Sequence, residues 1–150
     1  MTRALDGNQV AAKIEAAVPS GVKDFGVNEV LVSKDQMLHV ARFVFNDNEL
    51  ALNYLVSLTS VDYIDYFEVV YRLVSMRFNH SVVIKTRAFE RENPTVPSVV
   101  SVWRGADFQE REVFDLMGVR FQGHPNLKRI MLWEGFAGYP LRKDFLLNRP

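Results

Sequence analysis

The sequence predicts an α+β fold, a two-layer sandwich in which helices cover one face of a mixed or antiparallel sheet of four or five strands. Segments with the 3.6-residue apolar repeat of a helix are interspersed with segments whose apolar residues alternate, as in a strand. Neither repeat is sustained after residue 122, so an extended C-terminal segment is expected to follow the sandwich. At 150 residues the chain has the size of one domain.

The first part of the chain is predicted to form one helix and two strands. Within residues 6–18, apolar side chains recur at helical spacing: Val10, Ala11, Ile14, Ala17 and Val18. Pro19 and Gly21 end this helix. Residues 27–32 and 37–45 are rich in apolar side chains, and the polar residues 33–36 between them favour a turn. We therefore expect two strands joined by that turn.

A second helix is predicted to begin near Asn46. Asn46 and Glu49 have the spacing of a capping box, and Asp47 would lie at the positive end of the helix dipole. The apolar stripe of this helix would comprise Leu50, Ala51, Tyr54, Leu55 and Leu58. We expect this stripe to pack on the sheet together with the first helix.

The middle of the chain contains the clearest strand pattern. In residues 66–76 the apolar side chains alternate (Phe67, Val69, Tyr71 and Leu73 on one side, Glu68 and Arg72 on the other). Residues 77–81 are expected to turn the chain into a partner strand over residues 82–88. A third helix is predicted at about residues 106–117, with Gly118 as its C-terminal cap.

The sequence divides into a predicted α+β domain, residues 1–122, and a C-terminal segment, residues 123–150. The segment contains five Lys or Arg, two acids and four large aromatic residues, and its net charge is +3. Ordering each of its residues would cost roughly 1–2 kcal/mol. A domain of 122 residues has little spare apolar surface to offset that cost. We therefore expect the segment to wrap around partner proteins and to become ordered by contact with them.

The composition narrows the possible functions. There is no cysteine, so thiolate-ligated iron–sulfur clusters, disulfides and thiol nucleophiles are excluded for this chain. Lys+Arg and Asp+Glu are each 18, which gives no overall charge to attract nucleic acid or anionic lipid. No apolar run approaches 18 residues, and the first 20 residues lack a secretory signal pattern. We expect a chain that does not cross a membrane.

The densest charge cluster is Glu110-Arg111-Glu112, on the third helix. Asp107 and Asp115 lie four residues before and after Arg111, which predicts a charge ladder within the helix. Both glutamates are flanked at the same spacing by apolar residues, where an unpaired carboxylate is costly. The spacing leaves two interpretations open, a solvated helix face or acids that pair with Arg142, Lys143 or a partner chain. A glycosidase-like acid pair is a third, which would need a pocket and a raised pKa.

Other binding chemistries find little support in the sequence. His39, His80 and His124 share no metal-ligand spacing, and no Gly-rich phosphate loop is present. The basic, aromatic C-terminal segment could suit nucleic-acid stacking, but its many Leu, Ile and Met residues argue against it. We therefore expect no metal and no nucleic acid.

Several blocks of the sequence resemble a known family. They are Glu110 to Gly118 (ERE-VFD-LMG), Gly123 to Met131 (GHP-NLK-RIM) and Gly138 to Phe145 (GYP-LRK-DF), with Ser60 to Tyr63, Val70 to Leu73 and Val96 to Val99 upstream. Together they are similar to the C subunit of proton-translocating NADH–quinone oxidoreductase, respiratory complex I. The resemblance covers about residues 55–146, and its motifs are specific because several fixed spacings agree.

The resemblance implies an α+β subunit in the hydrophilic arm of that complex, on the cytoplasmic side of the cell membrane. The complex transfers electrons from NADH through FMN and iron–sulfur clusters to quinone and couples this transfer to proton translocation. In the family this subunit is non-catalytic and holds no cofactor, since FMN and the clusters belong to partner subunits. The implied partners are the quinone-site subunit and the subunit that carries the terminal iron–sulfur cluster.

The resemblance also points to residues that dock partners, which we call the signature residues. They are Glu110, Arg111, Glu112, Asp115, Gly118, His124, Pro125, Lys128, Arg129, Pro140, Leu141, Arg142, Lys143, Asp144 and Phe145. Two alternatives stay open at this point. One is the equivalent subunit of an energy-converting membrane-bound hydrogenase, a formate hydrogenlyase or a ferredoxin-driven relative, and the other is a free-standing carboxylate-based hydrolase.

Overall fold

The computed structural model describes residues 1–145, and residues 146–150 lie outside the described part. Its elements follow in the order β1 (Arg3–Ala4), α1 (Gly7–Ala17), β2 (Val22–Phe25), β3 (Glu29–Val32), α2 (Met37–Asn46), β4 (Tyr54–Asp62), β5 (Phe67–Ser75), β6 (His80–Ala88), β7 (Thr95–Pro97), α3 (Ala106–Met117) and β8 (Arg120–Gln122). A short 3-10 turn, Lys34–Gln36, precedes α2. No helix among these is long and apolar enough to cross a bilayer.

The main sheet is mixed, which confirms the predicted α+β class. Its strands lie in the order β2-β3-β6-β5-β4, and the short β1 also pairs with β6, which makes six strands. The β3–β6 and β1–β6 pairs are parallel, whereas the other neighbours are antiparallel. The long hairpins β4–β5 and β5–β6 form its centre, as the alternation in residues 66–76 and 82–88 predicts.

Helices α1 and α2 bury one stripe each against the sheet. The buried residues of α1 include Val10, Ala11 and Ile14, as predicted, and Asp6 caps its N-terminus by accepting from the backbone N–H of Asn8. Helix α2 buries Met37, Val40, Ala41 and Val44. These stripes share one hydrophobic core with Phe67, Val69, Tyr71 and Leu73 of β5. The core therefore lies between this helical layer and one face of the sheet.

Two predicted elements are wrong. Residues 37–45 belong to helix α2 rather than to a strand, because their buried residues recur at the helical spacing i, i+3, i+4 and i+7. Residues 54–62 form strand β4 rather than a helix. A β-bulge between Leu55 and Ser57 inserts an extra residue, so that the buried Leu55 and Leu58 are three residues apart and imitate a helix.

The capping residues at 46–49 have a different role from the predicted one. Asn46 ends α2 instead of beginning a helix. Asp47 accepts the backbone N–H groups of Glu49 and Leu50 and so holds a turn between α2 and β4. Helix α3 and its cap at Gly118 are confirmed, since Gly118 has φ +76° in the left-handed region. The strands β1, β2, β7 and β8 were not predicted.

Candidate docking site

Asp115, buried on α3, organises the chain that follows β8. Its Oδ2 atom accepts the backbone N–H groups of Ile130, Met131 and Leu132 at 3.2, 2.7 and 2.9 Å. Arg129 approaches its other oxygen at 3.4 Å. Burial alone would raise the pKa of Asp115, but the three N–H groups and Arg129 hold that pKa below its ordinary value. Asp115 thus folds residues 129–132 around one carboxylate.

Arg111 binds the same stretch of chain through carbonyl groups. Its Nε donates to the carbonyl oxygen of Lys128 at 3.1 Å, and its Nη2 donates to that of Arg129 at 3.2 Å. The predicted charge ladder with Asp107 and Asp115 is wrong, because no ion pair joins Arg111 to either acid within residues 1–145. Asp115 accepts from backbone N–H groups, and Arg111 donates to backbone carbonyl groups of the same loop, residues 128–132. These two side chains lie one turn apart on α3 and together hold the loop.

Asp62, at the end of β4, holds the last described residues. Arg91 binds its carboxylate with two nitrogens, at 2.6 and 2.8 Å, and Ile64 donates a backbone N–H. The backbone N–H of Lys143 donates to the same carboxylate at 2.9 Å, and Arg91 also pairs with Asp144 at 3.1 Å. The Arg91 guanidinium therefore lowers the pKa of Asp62 far below its ordinary value, although burial opposes this shift.

Arg142 caps the C-terminus of α3. Its Nε donates to the carbonyl oxygen of Met117 at 2.6 Å, and its Nη1 donates to that of Arg91 at 2.9 Å. Its guanidinium also lies over the Tyr139 ring, 4.9 Å from the centroid. Burial lowers the pKa of Arg142. A Cβ atom on Gly118 would lie 2.6 Å from this guanidinium and 2.7 Å from the Tyr139 ring, so the packing as well as the φ favours glycine there.

These bonds attach the C-terminal segment to the domain at several places. We call Asp62, Arg91, Arg111, Asp115 and Arg142 the anchor residues. Their hydrogen bonds and ion pairs hold parts of residues 123–145 from within the chain. Any contact with partners would add to this order. Three of the five, Arg111, Asp115 and Arg142, are signature residues predicted from the sequence, which placed Asp62 only within the similar block Ser60 to Tyr63. Arg91 was not predicted, because its partners lie 29 or more residues away and the sequence carries no local signal for it.

Glu110 is the other buried carboxyl group of α3, with no exposed surface. It accepts from the Ser98 hydroxyl at 2.7 Å and from the backbone N–H of Val99 at 2.8 Å. His124 lies farther off, at 3.9 Å, and is also close to Asp107 at 3.1 Å. Burial raises the pKa of Glu110 to about 7, and the negative charge of Asp107 adds to this rise, although the two hydrogen bonds oppose it.

Glu112 and Lys143 remain exposed. Neither has an ion-pair partner in the described part of the chain, and the expected pairing of Glu110 or Glu112 with Arg142 or Lys143 does not occur there. Glu112 lines a groove of 300 Å³ between α3 and β4, together with Leu116 and Leu141. A free carboxylate therefore stands beside an apolar groove.

Large apolar side chains are exposed along α3 and the C-terminal segment. We call them the docking surface, and they are Phe108, Ile130, Met131, Trp133 and Leu141, each between 40% and 69% exposed. The remaining signature residues differ in exposure. Pro125, Lys128 and Asp144 are exposed, Pro140 is half-buried, and Phe145 is half-buried with its ring 6.2 Å from that of Phe136. Residues 1–145 contain no cluster of three His, Asp or Glu side chains that could hold a metal ion.

Comparison with known proteins identifies the family. Residues 30–150 match the sequence model of the family described as "Respiratory-chain NADH dehydrogenase, 30 Kd subunit". The chain belongs to this family. The resemblance of the signature blocks to the C subunit of NADH–quinone oxidoreductase is thereby confirmed, and the chain is a subunit of a complex with oxidoreductase activity.

Individual members of the 30 kDa subunit family are similar over most of the chain. The C subunit of the NADH-quinone oxidoreductase of Roseiflexus castenholzii is 43% identical over 97% of this chain and 87% of its own length. The corresponding C subunit of Moorella thermoacetica is 43% identical over 81% of this chain and 82% of its own length. A chain in the solved structure of the membrane-bound sulfane sulfur reductase, an archaeal respiratory membrane complex, has a TM-score of 0.72 at 25% identity and covers 94% of this chain.

Proposed function

We propose that this chain is a structural subunit of NADH–quinone oxidoreductase that holds no cofactor and docks its partners through the C-terminal segment. One observation carries the proposal: the anchor residues hold the segment from inside the chain, while five large apolar side chains of the docking surface face outward. Residues 1–122 are then the α+β domain, and residues 123–150 are the segment that wraps a partner.

The docking surface has the composition of an interface centre. Fully burying one large apolar side chain contributes roughly 1.5–3 kcal/mol. Trp133 is 69% exposed and Met131 is 63% exposed, so both have most of that energy still to gain. Trp is enriched among the residues that dominate binding energy, and Met and Phe are enriched at interfaces. A partner that covers this surface would therefore stabilise the complex considerably.

The charged signature residues outside the anchors would form the rim of the interface. Glu112, Lys128 and Lys143 are exposed and provide both signs of charge. Rim charges of this kind select and orient the partner more than they add affinity. Glu112 is the acid that would meet a partner cation, since it stands at the apolar groove beside Leu141.

The partners proposed are the quinone-site subunit, which is the D subunit of the complex, and the terminal iron–sulfur subunit, which is its B subunit. A relative in Phocaeicola vulgatus supports the first, because its name designates a C/D subunit of NADH-quinone oxidoreductase. It is 44% identical over 63% of this chain, and the match spans 18% of that relative. A chain that carries both designations indicates that the two subunits are neighbours. The terminal iron–sulfur subunit is proposed from the family resemblance.

In this proposal the redox chemistry belongs to the partners. The 150 residues include no cysteine to ligate an iron–sulfur cluster. FMN and the clusters would carry electrons from NADH to quinone in other subunits, while this chain fixes their relative positions. The chain would reach the cytoplasmic side of the membrane only through the complex.

A second candidate is the equivalent subunit of another energy-converting membrane complex. The fold similarity to the archaeal sulfane sulfur reductase, with a TM-score of 0.72, favours it. A free-standing hydrolase with a glycosidase-like acid pair would need a pocket that both acids face and a raised carboxyl pKa. Only the raised pKa is found, at Glu110. Glu110 is fully buried whereas Glu112 is exposed, so the two acids do not face a common substrate.

Met131→Asp tests the docking surface against a matched control, Met76→Asp. Met76 is 68% exposed at the turn between β5 and β6, and Met131 is 63% exposed. The measurement is recovery of each variant with the native membrane complex, together with NADH–quinone activity. Met131→Asp should lose recovery and activity, while Met76→Asp should keep both. Recovery of Met131→Asp at the wild-type level would overturn the proposal.

A further inference from the structure

The face of the main sheet opposite α1 and α2 carries two adjoining grooves. Their volumes are 510 and 400 Å³, and Asn28, Arg72 and Val83 line both. The first groove continues over Val70 on β5 and Val61 on β4. We call this surface the open face. It is a shallow channel on strands whose backbone hydrogen bonds are already made, with valine side chains in its floor.

Most charges of the open face neutralise one another. Lys85 pairs with Glu29 at 2.8 Å and with Glu68 at 3.5 Å. Arg87 pairs with Glu68 at 2.9 Å and lies over the Tyr66 ring, 4.4 Å from the centroid. Two acids and two bases thus form a neutral lattice across β3, β6 and β5. An occupant of the groove finds no net charge in this lattice.

Arg72 is the exception. It is exposed, it has no ion-pair partner within residues 1–145, and it lies at the junction of the two grooves. Its cross-strand neighbours are Ser57 and Val83, and Val70 and Val74 lie two positions away on its own strand. None of these neighbours can neutralise a guanidinium. Arg72 is therefore a positive charge with uncharged nearest neighbours on the open face.

We propose that the open face binds a helix of another subunit, which places a carboxylate on Arg72 and apolar side chains on Val61, Val70 and Val83. This second interface rests on the proposed function only in that the chain is a subunit of an assembly. A guanidinium binds a carboxylate with two parallel hydrogen bonds, and the pair strengthens where apolar groups exclude water. The second helical layer would turn the two-layer sandwich into three layers.

A helix fits this surface better than a strand. A strand would need free backbone N–H and C=O groups, but β5 and β6 are central and pair on both sides. The open face offers side chains instead, and these can pack against one face of a helix. The unpaired Arg72 requires that this face be acidic at one position.

Because the chain contains no cysteine, single cysteines can report coverage of the surface. Val83→Cys reports the open face, Met131→Cys reports the docking surface, and Arg42→Cys, exposed on α2, shows that the reagent reaches the assembled subunit. Each variant is treated with a maleimide-linked polyethylene glycol, as the isolated subunit and within the native complex. We expect Val83→Cys to react in the isolated subunit and to be protected in the complex.

The outcomes separate this inference from the proposed function. Reaction of Val83→Cys in the complex, with Met131→Cys protected, would overturn the second interface and leave the docking surface intact. Protection of Val83→Cys already in the isolated subunit would also overturn the inference, because the open face would then be covered without another subunit. Reaction of Met131→Cys in the complex would contradict the proposed function instead.

Charge reversal gives an independent readout. Arg72→Glu should lower recovery with the complex by roughly tenfold or more, because a buried carboxylate would then face another one. Arg42→Glu makes the same change on the opposite side of the sheet and should leave recovery unchanged. Both variants should keep the unfolding midpoint of the isolated subunit, since neither arginine side chain is bonded within the described chain. Wild-type recovery of Arg72→Glu would overturn the inference.

Discussion

The Oδ2 atom of Asp115 lies 2.7 Å from the backbone nitrogen of Met131. The same Met131 exposes 63% of its surface. Its backbone is therefore held from within the chain while its side chain is presented outward. In the proposed function, the signature acid on α3 would act on partners indirectly, by fixing the loop that carries the docking surface.

Gly118→Ala should destabilise the isolated subunit more than Gly123→Ala. Both glycines have positive φ, +76° and +87°, so each alanine costs about 1–2 kcal/mol of backbone strain. At Gly118 the new Cβ would also lie 2.6 Å from the Arg142 guanidinium and displace it, whereas nothing lies within 4 Å at Gly123. Thermal unfolding of both variants measures the difference. Equal losses would show that Arg142 does not pack against this turn.

Glu110→Gln should flatten the pH dependence of stability. Burial raises the pKa of Glu110 from 4.5 to about 7, so the folded chain binds this proton more tightly than the unfolded chain does. Between those pH values the free energy of unfolding therefore falls as the pH rises, by about 3 kcal/mol in total. Above pH 7 the contribution of Glu110 is constant.

Urea unfolding from pH 4.5 to pH 8 tests this slope, with Glu112→Gln as the control. Glu112 is exposed two residues away on the same helix. Glu112→Gln should retain the wild-type slope, and Glu110→Gln should lose most of it. The buried Tyr71 and His124 and the neighbouring Asp107 stay in place in both variants, so the comparison isolates Glu110. Identical slopes in all three proteins would refute the assignment.

Arg142→Glu should lower the stability of the isolated subunit, whereas Lys143→Glu should weaken its recovery with the complex. Arg142 donates to two carbonyl groups and is half-buried, so its loss should cost about 3 kcal/mol or more and lower the melting temperature of the isolated subunit. The Lys143 side chain is exposed, so Lys143→Glu should leave that temperature unchanged and weaken recovery with the complex. Melting curves and co-purification distinguish the two. An unchanged melting temperature for Arg142→Glu would contradict its role as an anchor.

The sequence predicted the elements whose periodicity is uninterrupted. Helix α1, helix α3 and the β5–β6 hairpin follow from local spacing alone. Strand β4 was mispredicted as a helix because of the bulge beside Leu55. The inserted residue converts a period of two into an apparent period of three. In α2 the apolar residues are dense enough to suggest a strand, and only the burial pattern separates the alternatives.

The sequence located the charged cluster on α3 but not what its members bind. Arg111 binds carbonyl groups 17 and 18 residues away, and Asp62 binds the backbone of Lys143, which is 81 residues away. Pairings at such distances leave no local periodicity. The flanking apolar residues indicated that Glu110 and Glu112 would pair with cations. Glu110 is instead satisfied by the Ser98 hydroxyl and the backbone N–H of Val99, and Glu112 is exposed. Apolar residues at the same spacing thus flank a buried acid on one side of α3 and an exposed acid on the other.

Amide hydrogen exchange in the isolated subunit tests most directly whether the C-terminal segment is shaped from within the chain. If Asp115 holds the loop, the amides of Ile130, Met131 and Leu132 exchange slowly in the wild type and in Glu112→Ala. In Asp115→Ala they exchange at the rate of an open chain. Fast exchange of these three amides in the wild type, equal to that in Asp115→Ala, would contradict the account. It would mean that partners, rather than Asp115, order the segment.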